Sequence, residues 1–347
     1  MATSSSLPCL VLDYGGGQCA TLFDVSDGAH RACDADELRG KRSWPTSHGW
    51  MLACDLATAE TFLWNPRAPE NDAAGGRVVA LPPLAQPAPA ESVCALSGRP
   101  TDAGGCTVVL VEPPQSTVLW YCHAAAAGDD NDPGASAATA APAWRRHEYD
   151  LGGTSIPVPE GHCWCKRVIS RLASRRGRFY YFQSATEYGV IDFPPPPAGA
   201  AAPAFSTVPM RKVPIPYPAG QFMAIASMYP LDIGGELYTA SVVHRRHDVN
   251  SVAGVGVYRM DFARKRPVRV KSIGDRAIVV GSSSCFGGWC PAAEFGLRPN
   301  TVYWMSPEDM RLHVWDIAAG VEEEVQEPCK GVAEPSRQPF WMIPEHP

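Results

Sequence analysis

Five residues offer the ligand types of a zinc site. They are His162, Cys163 and Cys165 in HCWC, and Cys285 and Cys290 far downstream in CFGGWC. Thiolates and an imidazole from two such clusters could complete a tetrahedron around the ion. The spacing argues otherwise, because the common pattern keeps paired cysteines roughly two to four residues apart in both halves. A second pair, His244 and His247 in HRRH, has neither a third ligand nor an acidic cluster nearby, and is expected in a polar, solvated loop. Positive charge gathers at Lys166, Arg167, Arg171, Arg175, Arg176 and Arg178. Such a group could hold a phosphate. Arg175, Arg176 and Arg178 fall between two apolar strands, however, and there they read as a solvated hairpin tip.

Nucleophilic and phosphate chemistry lack their signatures. The sequence has no G-x-S-x-G elbow, no P-loop and no dinucleotide fingerprint. Gly15 to Gly17 follow a strand but run into Gln-Cys-Ala-Thr-Leu, another strand. They form a hairpin turn, not a phosphate cradle opening a helix. The acidic run Glu322 to Glu324 reads as charge guarding an exposed strand edge, not as a catalytic carboxylate pair. No catalytic, cofactor-binding or metal-ligating residue is therefore assigned, and no cofactor is expected.

The elements that must position these residues are strands. Six copies of one unit recur: CLVLDYGGGQCATLFDV, GWMLACDLATAETFLWN, CTVVLVEPPQSTVLWY, RFYYFQSATEYGVID, GELYTASVVHRRHDVNSVAGVGVYRMD and NTVYWMSPEDMRLHVWD. Their second strands close at Asp24, Asn65, Tyr121, Asp192, Asp261 and Asp316. Asp and Asn side chains can bond the backbone two residues on and so begin a turn. A further extended segment follows each copy: HRAC, RVVALP, WRRHEYDL, FSTVPM, PVRVKSI and VEEEVQ. An all-β array with this period predicts a single β-propeller of four-stranded antiparallel blades, six rather than seven.

The propeller is expected over residues 8–345. The terminal PFWMIP (Pro339 to Pro344) is expected to close the ring beside Cys9 to Asp13. Residues 124–142, rich in Ala, Gly and Asp, and 194–203, with the run PPPPAGAAAP, read as disordered insertions. Asp34 to Thr46 is the best short helix candidate. Trp64, Trp120, Trp304 and Trp315 are expected to pack between blades.

The 347 residues, 45% hydrophobic, suffice for one large core, and 34 Pro and 31 Gly suit a fold of many turns. A net charge of −6 argues against a nucleic-acid binder. No stretch reaches the ~18 apolar residues of a membrane span, and the N-terminus lacks the features of a secretory signal. A cytoplasmic or nuclear monomer is expected, its 12 cysteines mostly free thiols such as Cys9, Cys54, Cys94, Cys106 and Cys122.

Several segments carry a resemblance. They are SHGW at Ser47 to Trp50, FLWNP at Phe62 to Pro66, LPPL at Leu81 to Leu84, GGELY at Gly234 to Tyr238 and VYRMDF at Val257 to Phe262. IGDRAIVVG at Ile273 to Gly281, NTVYW at Asn300 to Trp304 and VWDIAAG at Val314 to Gly320 complete the series. Their order and spacing resemble the plant-specific, F-box-associated β-propellers of the KIB type, long catalogued as a domain of unknown function. The resemblance covers about residues 45 to 320. It implies a propeller that binds other proteins, in F-box members as the substrate-receptor half of a ubiquitin ligase. About eight residues precede Cys9, which leaves no room there for an F-box. Within the matched segments, Gly234 and Gly235 read as a tight turn, Asp275 as a turn cap, and Arg276 as a partner for a carboxylate of a neighbouring blade.

These observations set out three functions. The first is a non-catalytic protein-interaction propeller of unknown partner, binding through the loops of one face. The second is a ubiquitin-ligase subunit joined to an F-box partner in trans. The third is an enzyme using the central funnel, which would need His, Asp or Glu converging at the axis.

Overall fold

The computed structural model describes residues 7–12, 20–33, 35, 37–68, 77–124, 143–158, 161–194, 202–213, 226–245, 248–281, 286–331 and 338–345. The chain builds six blades in order. Blade 1 takes β1 (Cys9–Leu12), β2 (Thr21–Asp24) and β3 (Ala29–Ala32). Blade 2 is β4 (Lys41–Pro45), β5 (Met51–Asp55), β6 (Thr61–Trp64) and β7 (Val78–Leu81). Blade 3 is β8 (Val93–Leu96), β9 (Cys106–Val111), β10 (Val118–Ala124) and β11 (Arg145–Glu148). A separate hairpin follows, β12 (Gly153–Val158) and β13 (Gly161–Lys166). Blade 4 is β14 (Ala173–Arg175), β15 (Arg178–Ser184), β16 (Glu187–Asp192) and β17 (Ala204–Pro209). Blade 5 is β18 (Ala226–Ile233), β19 (Glu236–Arg245), β20 (Asp248–Asp261) and β21 (Arg266–Val270). Blade 6 holds β22 (Arg276–Gly281), β23 (Phe286–Pro291), β24 (Thr301–Met305), β25 (Leu312–Asp316) and β26 (Val321–Gln326), with a 3-10 turn at Ala293–Phe295. Then β27 (Phe340–Met342) returns to blade 1 as its innermost strand, in the order β27-β1-β2-β3.

The expected closure is therefore present. Cys9, Leu10 and Val11 pair antiparallel with Met342, Trp341 and Phe340. The Trp341 Nε1–H donates to the Val280 carbonyl in blade 6 at 3.1 Å, which ties the closing strand to both neighbours of the seam. Beyond it, the Glu345 carboxylate accepts bonds from Trp50 Nε1 at 3.1 Å and Asn65 Nδ2 at 2.6 Å in blade 2. A Cβ on Gly49, whose φ is +79°, would lie 2.3 Å from the Glu345 backbone nitrogen. The glycine of SHGW is thus where the chain end passes against blade 2.

The strands are apolar on both faces because each blade is sandwiched between two others. Along β1, Cys9 and Val11 enter the core shared with blade 2, and Leu10 and Leu12 enter the core shared with blade 6. Six such cores occur, one per junction. Trp64 lies between blades 1 and 2, Trp120 between blades 2 and 3, and Trp304 and Trp315 between blades 5 and 6, as expected.

The turn chemistry holds at four of the six strand ends. Backbone N–H groups donate to the side chains of Asp24 from Ser26 at 2.9 Å, Asn65 from Arg67 at 3.0 Å, and Asp261 from Arg264 at 3.0 Å. Asp316 accepts likewise from Ala319. Asp192 instead takes the Arg178 guanidinium, and Tyr121 is no strand end, since β10 continues to Ala124.

One expectation is corrected, and one blade of the expected six-bladed propeller departs locally from the common pattern. The helix over Asp34 to Thr46 is not formed: residues 37–40 turn and Lys41–Pro45 is the inner strand of blade 2, drawn in by Trp44, which is fully buried between blades 2 and 3. Blade 6 is not four antiparallel strands. Its order is β23-β22-β24-β25-β26, and β22 runs parallel to β24. The chain after IGDRAIVVG folds back as a hairpin, and the 3-10 turn carries it round to re-enter in the original direction.

Residue 124 belongs to β10, and residues 125–142 lie outside the described residues, as do 195–201 of the second insertion. Among the described residues, no helix is long and apolar enough to cross a membrane.

Candidate functional site

Antiparallel order fixes which connections share an end of a blade. In blade 3, the β8–β9 and β10–β11 connections lie at one end, and the β9–β10 turn and the exit from β11 at the other. The hairpin β12–β13 is the connection from β11 to blade 4, so it stands at the second end. Its base is clamped there. Tyr149 and Ile169, 4% and 1% exposed, flank the hairpin and enter the core of blades 3 and 4. The Ile169 N–H donates to the Tyr149 hydroxyl at 3.2 Å, and the Tyr149 N–H to the Thr117 carbonyl at 3.0 Å. Lys166 Nζ adds a bond to Thr117 Oγ1 at 3.0 Å.

The hairpin itself pairs Gly153 with Lys166, Ser155 with Trp164, and Ile156 with Cys163. His162, Trp164 and Lys166 share one face, and Cys163 and Cys165 the other. Trp164 is 69% exposed, the most exposed large apolar side chain described. Its ring lies over Gly153, where a Cβ would stand 2.5 Å from ring carbons. The indole thus rests against the Gly153 backbone, with most of the side chain open to solvent. This hairpin was not among the elements expected from the sequence. Its signal was two short alternating runs, GTSIPV and GHCWCK, separated by Pro159 and Glu160 and entered at Gly161.

The two halves of the candidate zinc site are not brought together. His162, Cys163 and Cys165 ride on the exposed hairpin, whereas Cys290 is fully buried in the core of blades 6 and 1. Cys285 lies outside the described residues. His244 is corrected too: it is 3% exposed on β19, not in a polar loop, with its ring 5.3 Å from that of Trp304. A histidine buried on a central strand with its ring against an indole belongs to the sheet interior. His247 lies outside the described residues.

The basic group is largely neutralised within the fold. Arg175 and Arg176 both reach Glu236 at 3.2 Å, across the junction to blade 5. Arg178 grips Asp192 with two bonds of 2.5 Å, and that guanidinium lowers the Asp192 carboxyl below its usual range. Arg171 lies 4.6 Å from the Tyr229 ring centre. Arg276 stacks on Trp289 at 5.0 Å and donates to the Ile273 carbonyl at 3.2 Å. The partner found for it is an indole face of its own blade, not a carboxylate of a neighbour. Glu323 and Glu324 pair with Arg298 at 2.9 and 2.7 Å, and Glu322 with His313 at 2.5 Å.

One cleft of about 440 Å³ opens between blades 1 and 6, lined by Asp27, His30, Arg298, Glu324, Gln326 and Lys330 among others. Its charges are satisfied from within: Arg298 by Glu323 and Glu324, Lys330 by Glu327, and Asp27 by Arg31. The hairpin presents what the cleft does not, an aromatic surface with no covering group among the described residues.

The family model described as KIB1-4 beta-propeller matches residues 22–326. No curated protein matches the chain. Among solved structures, apo AztD from Citrobacter koseri is 11% identical with a TM-score of 0.33, covering 96% of this chain and 87% of that one. The Cps50 (Swd1) β-propeller domain of Myceliophteria thermophila is 9% identical with a TM-score of 0.35, covering 98% and 97%. At that level of likeness, neither carries an argument about function.

Proposed function

The chain belongs to the KIB1-4 β-propeller family, and we propose that it is a non-catalytic protein-interaction propeller whose partner docks on the β12–β13 hairpin, with Trp164 as anchor. The observation that carries the reading is the pose of Trp164: 69% exposed, seated on Gly153, on a hairpin whose base is fixed by Tyr149 and Ile169. Tryptophan is enriched among the residues that dominate binding energy at protein interfaces. A ring already held in place loses little freedom on binding, so more of its burial appears as affinity.

The test is affinity capture at native expression, with proximity labelling in the source tissue, comparing wild type with Trp164→Ala. A partner recovered stoichiometrically by wild type and lost by the variant, at equal melting temperature, supports the reading. Equal recovery by both moves recognition to other loops of the propeller. No specific partner at all removes the interaction reading. A Skp-type adaptor among the captured proteins would make the chain a ligase receptor assembled in trans.

A further inference from the structure

Cys163 and Cys165 stand two residues apart on β13, so both thiols leave one face of the strand, while His162 and Trp164 leave the other. Along an extended strand, such positions are about 6.6 Å apart, close enough for two sulfurs to turn toward each other. The Cys163 thiol donates to the Trp164 carbonyl at 3.9 Å, on the stretch of backbone that separates it from Cys165. Cys163 is exposed and Cys165 half-buried, and both are free. Cys9, Cys54, Cys94, Cys106, Cys122 and Cys290 are all buried, where a thiol serves as a small hydrophobe. That role does not account for the hairpin pair.

We propose that Cys163 and Cys165 form a two-thiolate site for a soft, low-coordinate metal ion, Cu(I). Thiolates select soft ions. Zinc takes four ligands in a structural site, and among the described residues no third His, Cys, Asp or Glu joins the pair. Cu(I) is satisfied by two thiolates in a near-linear arrangement. On binding, each S–H gives its proton to solvent and two S–Cu bonds form. No oxidation state changes, and the ion with its two thiolates carries one negative charge. His162, on the opposite face, takes no part. The exposed strand gives the ion direct entry from solvent.

The experiment titrates the full chain with Cu(I), kept reduced by ascorbate without oxygen, against the chromophoric chelator bathocuproine disulfonate. The expected result is one Cu(I) withheld per chain, with the elution volume of the metal-free protein unchanged. Cys163→Ser with Cys165→Ser should weaken retention at least tenfold, and His162→Ala should leave it unchanged. If the double variant does not fold, alkylating the accessible thiols of native wild type before titration gives the same reading. Retention equal to wild type in the double variant or the alkylated protein overturns the site, as does a wild type that withholds no Cu(I). One ion per two chains, or an equal loss in His162→Ala, overturns the two-thiolate, single-chain geometry.

Discussion

The dipeptide Trp-Cys occurs twice in the chain, at Trp164–Cys165 and Trp289–Cys290, each time on the returning strand of a hairpin. On β13 the tryptophan is 69% exposed and on β23 it is 6% exposed. Both rings lie against something, Gly153 in the first hairpin and the Arg276 guanidinium in the second. What differs is the third layer. The β22–β23 hairpin is wedged into the ring: a Cβ on Gly287 would stand 2.9 Å from the Pro230 carbonyl of blade 5, and one on Gly288 2.9 Å from Ile343 beside the closing strand. Among the described residues, the β12–β13 hairpin pairs with no other strand. The same two residues serve as core in one place and as surface in the other, because burial is decided by what reaches the second face of a hairpin.

The comparison can be broken most severely from the buried side by removing residues 339–347. The deletion takes away Phe340, Trp341, Met342 and Ile343, all at most 2% exposed, and with them the surface against which β23 rests. Each such side chain contributes roughly 1.5–3 kcal/mol of burial, so several kcal/mol should be lost in a denaturant titration. An unchanged melting temperature would show that the tail is free and that β23 is not held as described.

Next in size is the pair of tryptophans. Trp289→Ala opens a cavity in the core and should cost about 3–5 kcal/mol. Trp164→Ala, on the exposed hairpin, should stay within about 0.5 kcal/mol. Similar losses in the two variants would erase the distinction between the hairpins.

The glycines sharpen it further. Gly288→Ala pushes a methyl into Phe286 at 2.7 Å and Ile343 at 2.9 Å. It should cost about 1–3 kcal/mol, as overpacking does. Gly153→Ala meets the exposed Trp164 ring first, and that ring can shift into solvent. It should change stability by less than about 1 kcal/mol while altering tryptophan emission. A larger stability loss from Gly153→Ala would mean that the hairpin is part of the folding unit.

At neutral pH the smallest effect is that of thiol titration, which acts only in alkaline solution. Burial pushes the Cys290 thiol up to about 12, whereas an unfolded thiol titrates near ~8.5. Between those values the unfolded chain releases a proton that the folded chain keeps. Stability from this group is thus complete below about pH 8.5 and falls as pH rises toward about 12, by about 1.4 kcal/mol per pH unit. Cys106, also raised to about 12 by burial, adds in the same direction. Cys290→Ala should flatten the alkaline slope of unfolding free energy by one proton. An unaltered slope would place Cys290 in contact with solvent.

Much of the ring was legible because its signals are local. Apolar strands buried on two faces read as continuous apolar runs, and Asp24, Asn65, Asp261 and Asp316 announce turns by bonds that span only two or three residues. Where a residue's role depends on a distant strand, the reading slipped. Lys41–Pro45 looked helical until Trp44 had the β-core of blades 2 and 3 to enter. His244 looked like a residue of a solvated loop until Trp304, from the next blade, came to lie against it. The anchor residue of the candidate site was visible only as one letter of a possible zinc cluster.

The sequence by itself determined the fold class, the six-fold repeat and the joining of the chain ends, since these follow from strand periodicity, turn chemistry and an apolar terminal segment. Only the tertiary structure decided which hairpin is core and which is surface. Two Trp-Cys hairpins carry nearly the same local preferences. The choice between them is made by Pro230 and Ile343, 59 and 54 residues away from Trp289 along the chain, closing over one hairpin while nothing described closes over the other.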